Sequence, residues 1–452
     1  MKPRLHAVLL SAAALVLAVG VTQAFAAGIV KIIDSSGDGS WPLSNPYRVA
    51  VDLAGNVYVA GYASHSAFKI SPAGAIARIL DTGSTPAGVS GPFGIAAGPG
   101  NDANVYVAIR DLNSVYRISP DGTVLAIIDE SGDGMGHSLH GPLGVAVDHA
   151  GNVYVPGVGY PDEETGGNAF KITPDGMVAQ VIDAAGDGQG NPLLLTGDVA
   201  VDGQGNVYVS GRASNNVFRV APDGTVTEII DASGDGLGNA LAGPWAVAAD
   251  AAGNAYVAGY ASDNVFRIAA DGTIVELIDA NGDGAGNPLD FPFGLATDVA
   301  GNVYVAAQFS SNAFRVAPTG EITVIVGPDG DGIGNALDDA SGIAVSQAGK
   351  VYVTGAASNN VFRIELLCGN GTVDPGEQCD DGNNFDDDCC SRLCRFELEG
   401  SPCDDSNACT TTDVCESGVC VGTCAVGKLC GAGCKLLRCT ALPGSCRCRP
   451  PQ

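Results

Sequence analysis

The residues best suited by type and spacing to do chemistry are acids in a repeated phrase. Asp34-x-Ser36-x-Asp38-Gly39, Asp129-x-Ser131-x-Asp133-Gly134, Asp183-x-Ala185-x-Asp187-Gly188, Asp231-x-Ser233-x-Asp235-Gly236 and Asp279-x-Asn281-x-Asp283-Gly284 share one pattern. Oxygens at the first, third and fifth positions with Gly at the sixth are how a calcium loop opens. At the twelfth position, where such a loop carries a bidentate carboxylate, the five copies have Asn45, His140, Leu194, Ala242 and Asp290. Only the Asp279 loop has an acid there. A sixth copy near Gly327 lacks the first ligand but offers Asp329, Asp331 and Asp338, and the copy at Asp81 has lost the phrase. Two readings stay open: Ca2+ held by these acids, or a bulged turn in which each Asp caps its own backbone without an ion.

Histidine is sparse. After the leader the chain has only His65, His137, His140 and His149. His137 and His140 are the candidates for a catalytic base or a metal ligand, although solvated loop histidines show the same spacing. No nucleophile motif, phosphate loop or H-E-x-x-H is present. The residues therefore favour binding over catalysis.

These groups sit in a repeat. The phrase G-N-V-Y-V recurs with its tyrosine at Tyr58, Tyr106, Tyr154, Tyr208, Tyr256, Tyr304 and Tyr352, spaced by 48 residues except for one interval of 54. A second marker keeps step at Phe68, Tyr116, Phe170, Phe218, Phe266, Phe314 and Phe362. Each unit holds four short runs rich in Val, Ile, Tyr and Phe, divided by Gly, Asn, Asp and Pro turns, which is the pattern of a four-stranded meander. One such sheet exposes both faces. Seven around an axis cover one another and close without an open edge, so the expected fold is an all-β, seven-bladed β-propeller. The ends agree with closure: Lys31-Ile32-Ile33-Asp34 carries the fourth-strand phrase before any complete unit, and the last unit stops after Ile364. The N-terminal strand is thus expected to complete the final blade.

The phrases P-F-G-I-A, D-x-A-G-N-V-Y-V and V-F-R-I-x-P-D-G-T resemble NHL-type propeller repeats, and those of the streptogramin lyase and gluconolactonase-like superfamily, over residues 28–366. The resemblance implies the fold. It leaves activity open, because these families include enzymes, sensors and adhesion modules.

Strand direction alternates, so the tight A-G-N and P-D-G turns share one face, where Gly and Asn are expected to supply the positive φ of each turn. The other face carries the acid loops and the variable segments 62–66, 110–114, 158–168, 212–216, 260–264, 308–312 and 356–360. The third of these holds the six extra residues, including Asp162, Glu163 and Glu164. Any ligand is expected on this face. First strands open with Tyr47-Arg48, Phe93-Gly94, Leu143-Gly144, Gly197-Asp198, Trp245-Ala246, Phe293-Gly294 and Ser341-Gly342. The large first members suit an apolar ligand ring or, as the preferred reading, inter-blade core. Arg48 and Asp198 are the only charged second members.

Composition bounds the partners. The 452 residues carry 22 Lys and Arg against 50 Asp and Glu, a formal charge of −28. So acidic a chain repels phosphate backbones, which makes nucleic acid a poor partner and leaves a protein, a glycan or a small molecule. Residues 1–27 run from Lys2 and Arg4 through an apolar stretch to small residues at Ala26-Ala27, the order of a secretory signal. Export to the cell surface, the medium or a periplasm is expected, with no membrane insertion after cleavage.

All 15 cysteines lie between Cys368 and Cys448, so a disulfide-rich C-terminal module follows the ring. Residues 368–394 resemble the myxobacterial-type cysteine-rich disulfide repeat, on which Cys368, Cys379, Cys390 and Cys394 fall. Cys389 stands where that repeat has Gly. A second cysteine-rich region, 399–452, contains Cys403, Cys409, Cys415 and Cys420, and the pairing is open. The expectation is an exported binding propeller, stabilised by Ca2+ if the acid loops hold the ion; the alternatives are a propeller lyase or lactonase-like hydrolase with a metal at the channel mouth, and a purely structural surface protein.

Overall fold

A computed structural model describes residues 28–85, 88–100, 102–159 and 166–365. In the tail it describes 379, 389–390, 396, 400–403, 410–416, 419–424, 438–442 and 445–449. The leader, the acids of the six-residue insertion, and Cys368, Cys394 and Cys409 lie outside the described residues.

Seven antiparallel four-stranded sheets form in chain order. Blade 1 is Pro46–Val51, Val57–Gly61, Ser66–Ile70 and Ile76–Leu80, and blades 2 to 6 repeat it through Ile322–Val326. Blade 7 takes three strands, Ala340–Val345, Lys350–Gly355 and Asn360–Glu365, from the end of the array and its outer strand, Ile29–Ile33, from the start. Ile29 pairs with Ile364 and Ile33 with Val361, antiparallel, and the Glu365 N–H donates to the Gly28 carbonyl at 2.9 Å. The ring is closed as the offset of the repeats implies, and the first strand of blade 1 packs on that of blade 7.

Burial explains the residue choice. The second strand of each of blades 1 to 6, such as Val57–Gly61, is buried throughout because neighbouring blades cover both of its faces, and in blade 7 only its first residue, Lys350, is partly exposed. The outer strand is mostly half-buried and becomes buried at its last residue, as at Leu80. The core is accordingly a series of inter-blade clusters; Tyr58, Ala60 and Ala67 of blade 1, for example, pack with Val105, Val107 and Tyr116 of blade 2. Among the described residues the one helical element is a 3₁₀ turn at Arg110–Leu112.

The tight turns correct one expectation. Gly55 has φ 80°, but Asn56 is not in the left-handed region. Its use is a side-chain network instead. Asp52 Oδ1 accepts the Asn56 N–H (2.8 Å), while Asp52 Oδ2 accepts from Asn56 Nδ2 (2.8 Å) and from the Tyr58 hydroxyl (2.9 Å). The same Asp, Asn and Tyr unit recurs at Asp148, Asp202, Asp250 and Asp298. The repeated tyrosine thus fastens the turn to the sheet.

In the tail, Cys379 bonds to Cys390, Cys389 to Cys415, and Cys403 to Cys420. The Cys389–Cys415 bond joins the two cysteine-rich segments. Hairpins form from Thr410–Glu416 with Val419–Cys424 and from Arg438–Leu442 with Ser445–Arg449.

Candidate functional site

The acid loops lead from each outer strand into the next blade, and their carboxylates are committed to the loop itself. Asp279 Oδ1 accepts the Asn281 N–H (2.9 Å) and Oδ2 accepts from Asn281 Nδ2 (3.0 Å). Asp283 accepts from the Ala285 N–H (2.8 Å) and Asn287 Nδ2 (2.7 Å). Asp231 and Asp129 hold Ser233 and Ser131 in the same way, Asp235 holds Leu237 and Asn239, and Asp133 holds Met135 and His137. Asp331 takes Ile333 and Asn335, and the Asp329 carbonyl accepts the Gly332 N–H. Asp290 lies apart from this set; burial and the nearby Asp263 charge raise its carboxyl above the ordinary value. Among the described residues no three acids bring ligand oxygens together, and the one close group of this kind is Cys389, Cys403 and Cys420, all disulfide-bonded.

The sequence reading missed the fourth position of these loops, which is Gly in every full copy. Gly282 has φ 64°, and a Cβ there would collide with the Asn287 carbonyl oxygen. Gly234 is held the same way, and a Cβ there would also come within 3.1 Å of the ring tip of Phe266, the third-strand aromatic of the next blade. The loop and the second repeat marker are therefore one packing unit.

The segments read as variable contain a fixed position. His65, Asn113, Asn215, Asp263, Ser311 and Asn359 all have φ between 49° and 54°. Each accepts a hydrogen bond from a backbone N–H at the start of the next blade: Gly91, Gly141, Gly243, Phe291, Asp339 and, across the closing seam, Asn45. These distances run from 2.8 to 3.2 Å. Blade is clasped to blade around the rim of the loop-bearing face.

Inside this rim the axis is filled. Tyr47 stacks on Phe93 at 5.0 Å, Trp245 stacks on Phe293 at 4.7 Å, and Phe93 meets Phe293 from the opposite side of the ring at 6.4 Å. With Leu143 these rings form their own cluster. The expectation of ordinary inter-blade core is corrected to this extent: the side chains turn to the axis because sevenfold closure points them there. Beneath them Arg48 Nη2 lies 2.9 Å from Asp198 Oδ2, joining blades 1 and 4. The glycines at the other second positions let the strands approach; a Cβ at Gly144 would strike Asp198 Oδ1, and one at Gly294 the Ser341 carbonyl.

The residues that open the variable segments form the outer layer, which sequence reasoning did not single out. Arg110 Nη1 donates to the Tyr62 hydroxyl (3.3 Å), and the Arg212 guanidinium lies 4.3 Å from the centre of the Trp245 ring. Tyr260, Phe291 and Phe309 continue the aromatic surface outward. The histidines are elsewhere: His65 in a clasp, His149 in a tight turn, and His137 and His140 in the loop before blade 3, with His137 Nδ1 2.6 Å from Asp133. The structure does not bring a histidine into the axial cluster.

The family described as Beta-propeller repeat matches residues 36–69. Comparison with curated proteins by sequence finds no match. A streptogramin B lyase structure is similar over 75% of this chain and 97% of its own, at 13% identity and TM-score 0.55. A catalytically inactive virginiamycin B lyase from Staphylococcus aureus with quinupristin is similar over 75% of this chain and 99% of its own, at 13% identity and TM-score 0.55. At that identity the likeness extends to the fold alone. The chain is a seven-bladed β-propeller built of β-propeller repeats, with the fold of the streptogramin B lyases and a disulfide-linked C-terminal region.

Proposed function

We propose that this is an exported binding protein that presents the loop-bearing face of its propeller to a ligand or partner, with the cysteine-rich tail as spacer or attachment. The observation that supports this reading is the aromatic and guanidinium stack at the axis. Rings and charges held by their neighbours make a pre-set surface, and such surfaces recognise without large ordering costs. A catalytic site would instead need a base and an acid aimed at one enclosed point.

The test is a binding array of peptides, oligosaccharides and small aromatic molecules. Binders should lose affinity for Tyr62→Ala and Tyr260→Ala and keep it for Asp223→Asn and Asp271→Asn, which change exposed turns on the other face. The lyase or lactonase-like alternative rests on His137 and His140. Turnover of a lactone or a streptogramin that His137→Ala abolishes would replace the binding reading.

A further inference from the structure

Two disulfides of the tail lie side by side. Cys389 is bonded to Cys415 and Cys403 to Cys420, and the Sγ atoms of Cys389, Cys403 and Cys420 all lie within 4.8 Å of one another. One sulfur of the first bond is therefore a neighbour of both sulfurs of the second. Among the described residues this is the one such cluster, and Cys379–Cys390 is not part of it.

The strand pairing brings the fourth sulfur in. In the hairpin of Thr410–Glu416 with Val419–Cys424, Cys415 stands directly opposite Cys420. The Cys415 N–H donates to the Ser401 carbonyl and the Cys415 carbonyl accepts the Gly400 N–H, each at 2.9 Å, so the backbone of Cys415 bonds away from Cys420. Such a non-hydrogen-bonded pair is the closer of the two antiparallel kinds, with Cα atoms about 4.5 Å apart, and a disulfide spans about 4.4–6.8 Å. Cys389 with Cys403, and Cys415 with Cys420, thus form a second pairing of the same four residues. Burial distinguishes the two existing bonds: Cys389 and Cys415 are buried, whereas Cys403 and Cys420 are partly exposed.

We propose that these four cysteines form a thiol–disulfide exchange site whose substrate is a small thiol. Its thiolate attacks Cys403 Sγ in the more accessible bond; the Cys403–Cys420 bond breaks and the electron pair leaves on Cys420 as thiolate. Cys420 then attacks Cys415 across the hairpin, forming Cys415–Cys420 and expelling the Cys389 thiolate. Cys389 attacks the mixed disulfide on its neighbour Cys403, forming Cys389–Cys403 and releasing the small thiolate unchanged. Two disulfides stand before and after, so the thiol is a catalyst and no net oxidant or reductant is consumed. The swap changes what holds the hairpin. At the start it is bonded through this set to both Cys389 and Cys403; at the end it is bonded only to itself, and Cys389–Cys403 joins the segments that precede it. The inference is independent of the binding reading of the propeller face.

The experiment uses the full chain and reduced glutathione. Because 15 cysteines cannot all pair within one molecule, any remaining thiol is first capped with N-ethylmaleimide. The protein is then incubated with glutathione at mildly alkaline pH, where thiolate is present, quenched with acid and digested without reduction for mass spectrometry. Peptides linked through Cys389–Cys403 and through Cys415–Cys420 should appear together and in equal amounts, at least about tenfold above a sample without glutathione, while Cys379–Cys390 keeps its pairing. S-Methylglutathione, which has no thiol, should produce neither link. An unchanged disulfide map, loss of the original bonds to thiols or glutathione adducts without the new links, or a scatter of pairings that draws in Cys379 and Cys390 would overturn the proposal.

Discussion

Arg48 Nη2 and Asp198 Oδ2 lie 2.9 Å apart across the axis, tying blade 1 to blade 4, which are as far apart around the ring as two blades can be. Both side chains are only 13% exposed. Burial raises the Asp198 carboxyl, and the Arg48 charge opposes it. Removing one partner from such a pair leaves an uncompensated charge. Asp198→Ala should therefore cost about 3–5 kcal/mol, while Arg48→Met with Asp198→Leu should be close to neutral. Urea unfolding of the three proteins checks this. A single variant as stable as the parent would mean that water, and not the carboxylate, solvates Arg48.

Tyr208 and Tyr352 are equivalent in the repeat but differently held. The Tyr208 hydroxyl donates to Asp202 Oδ2 at 3.0 Å. In blade 7 Ser346 replaces the Asp and Lys350 the Asn; Lys350 pairs with Glu365 at 2.8 Å, and the Tyr352 hydroxyl makes no bond to a described residue. Tyr208→Phe should lose about 1 kcal/mol or somewhat more, whereas Tyr352→Phe should change stability by less than about 0.5 kcal/mol. Equal losses in chemical denaturation would mean that the hydroxyl network is not what fastens the turn.

The fold was legible because the marker tyrosines and phenylalanines are large aromatics buried between blades at a fixed spacing, and because the displaced Lys31–Asp34 phrase has a use only in a closed ring. The turn network was legible in principle: each Asp stands four residues before its Asn and six before its Tyr, but the Asn was credited with a backbone role that Gly55 performs. The axial cluster was only partly legible. Phe93 and Phe293, or Arg48 and Asp198, become neighbours through closure of the whole ring, so local pattern cannot pair them. The clasp residues were hidden by type, because His65, Asn113, Asp263 and Ser311 have in common an acceptor atom and a left-handed backbone, and no shared letter.

Asp34 follows the closing strand, and its carboxyl is held down to about 2, first by the Ser36 hydroxyl (2.6 Å), then by the Ser36 N–H and Lys31. A depressed folded value contributes stability above the unfolded value, near 3.8, and loses it as pH falls through the folded one. Asp34→Asn should thus be less stable than the parent at pH 6, and the gap should close between about pH 4 and pH 2. Urea midpoints across that window test it. A gap that persists at pH 2 would assign the effect to shape and not to charge.

The loop acids make opposing demands of one experiment. Because Asp279 and Asp283 spend their oxygens on Asn281, Ala285 and Asn287, millimolar calcium should leave the melting temperature where chelator leaves it. A rise of several degrees that Asp279→Asn abolishes would show that the carboxylates leave their turn to ligate the ion.

Cys389 has φ 87°, a conformation that glycine adopts freely and a side chain resists, which accounts for a Gly at this place in the similar repeat. Here the thiol is used to bond Cys415 in the neighbouring segment. Cys389→Gly should relieve the backbone and free the two segments from each other while leaving Cys379–Cys390 intact, so limited proteolysis should separate them. No cysteine precedes Cys368, so reduction of the parent should expose the same sites in the tail and leave the emission of Trp245, packed between Arg212 and Phe293 at the axis, unaltered. A shift in that emission under mild reductant would mean that the ring depends on the tail for its closure, and that the two are one folding unit.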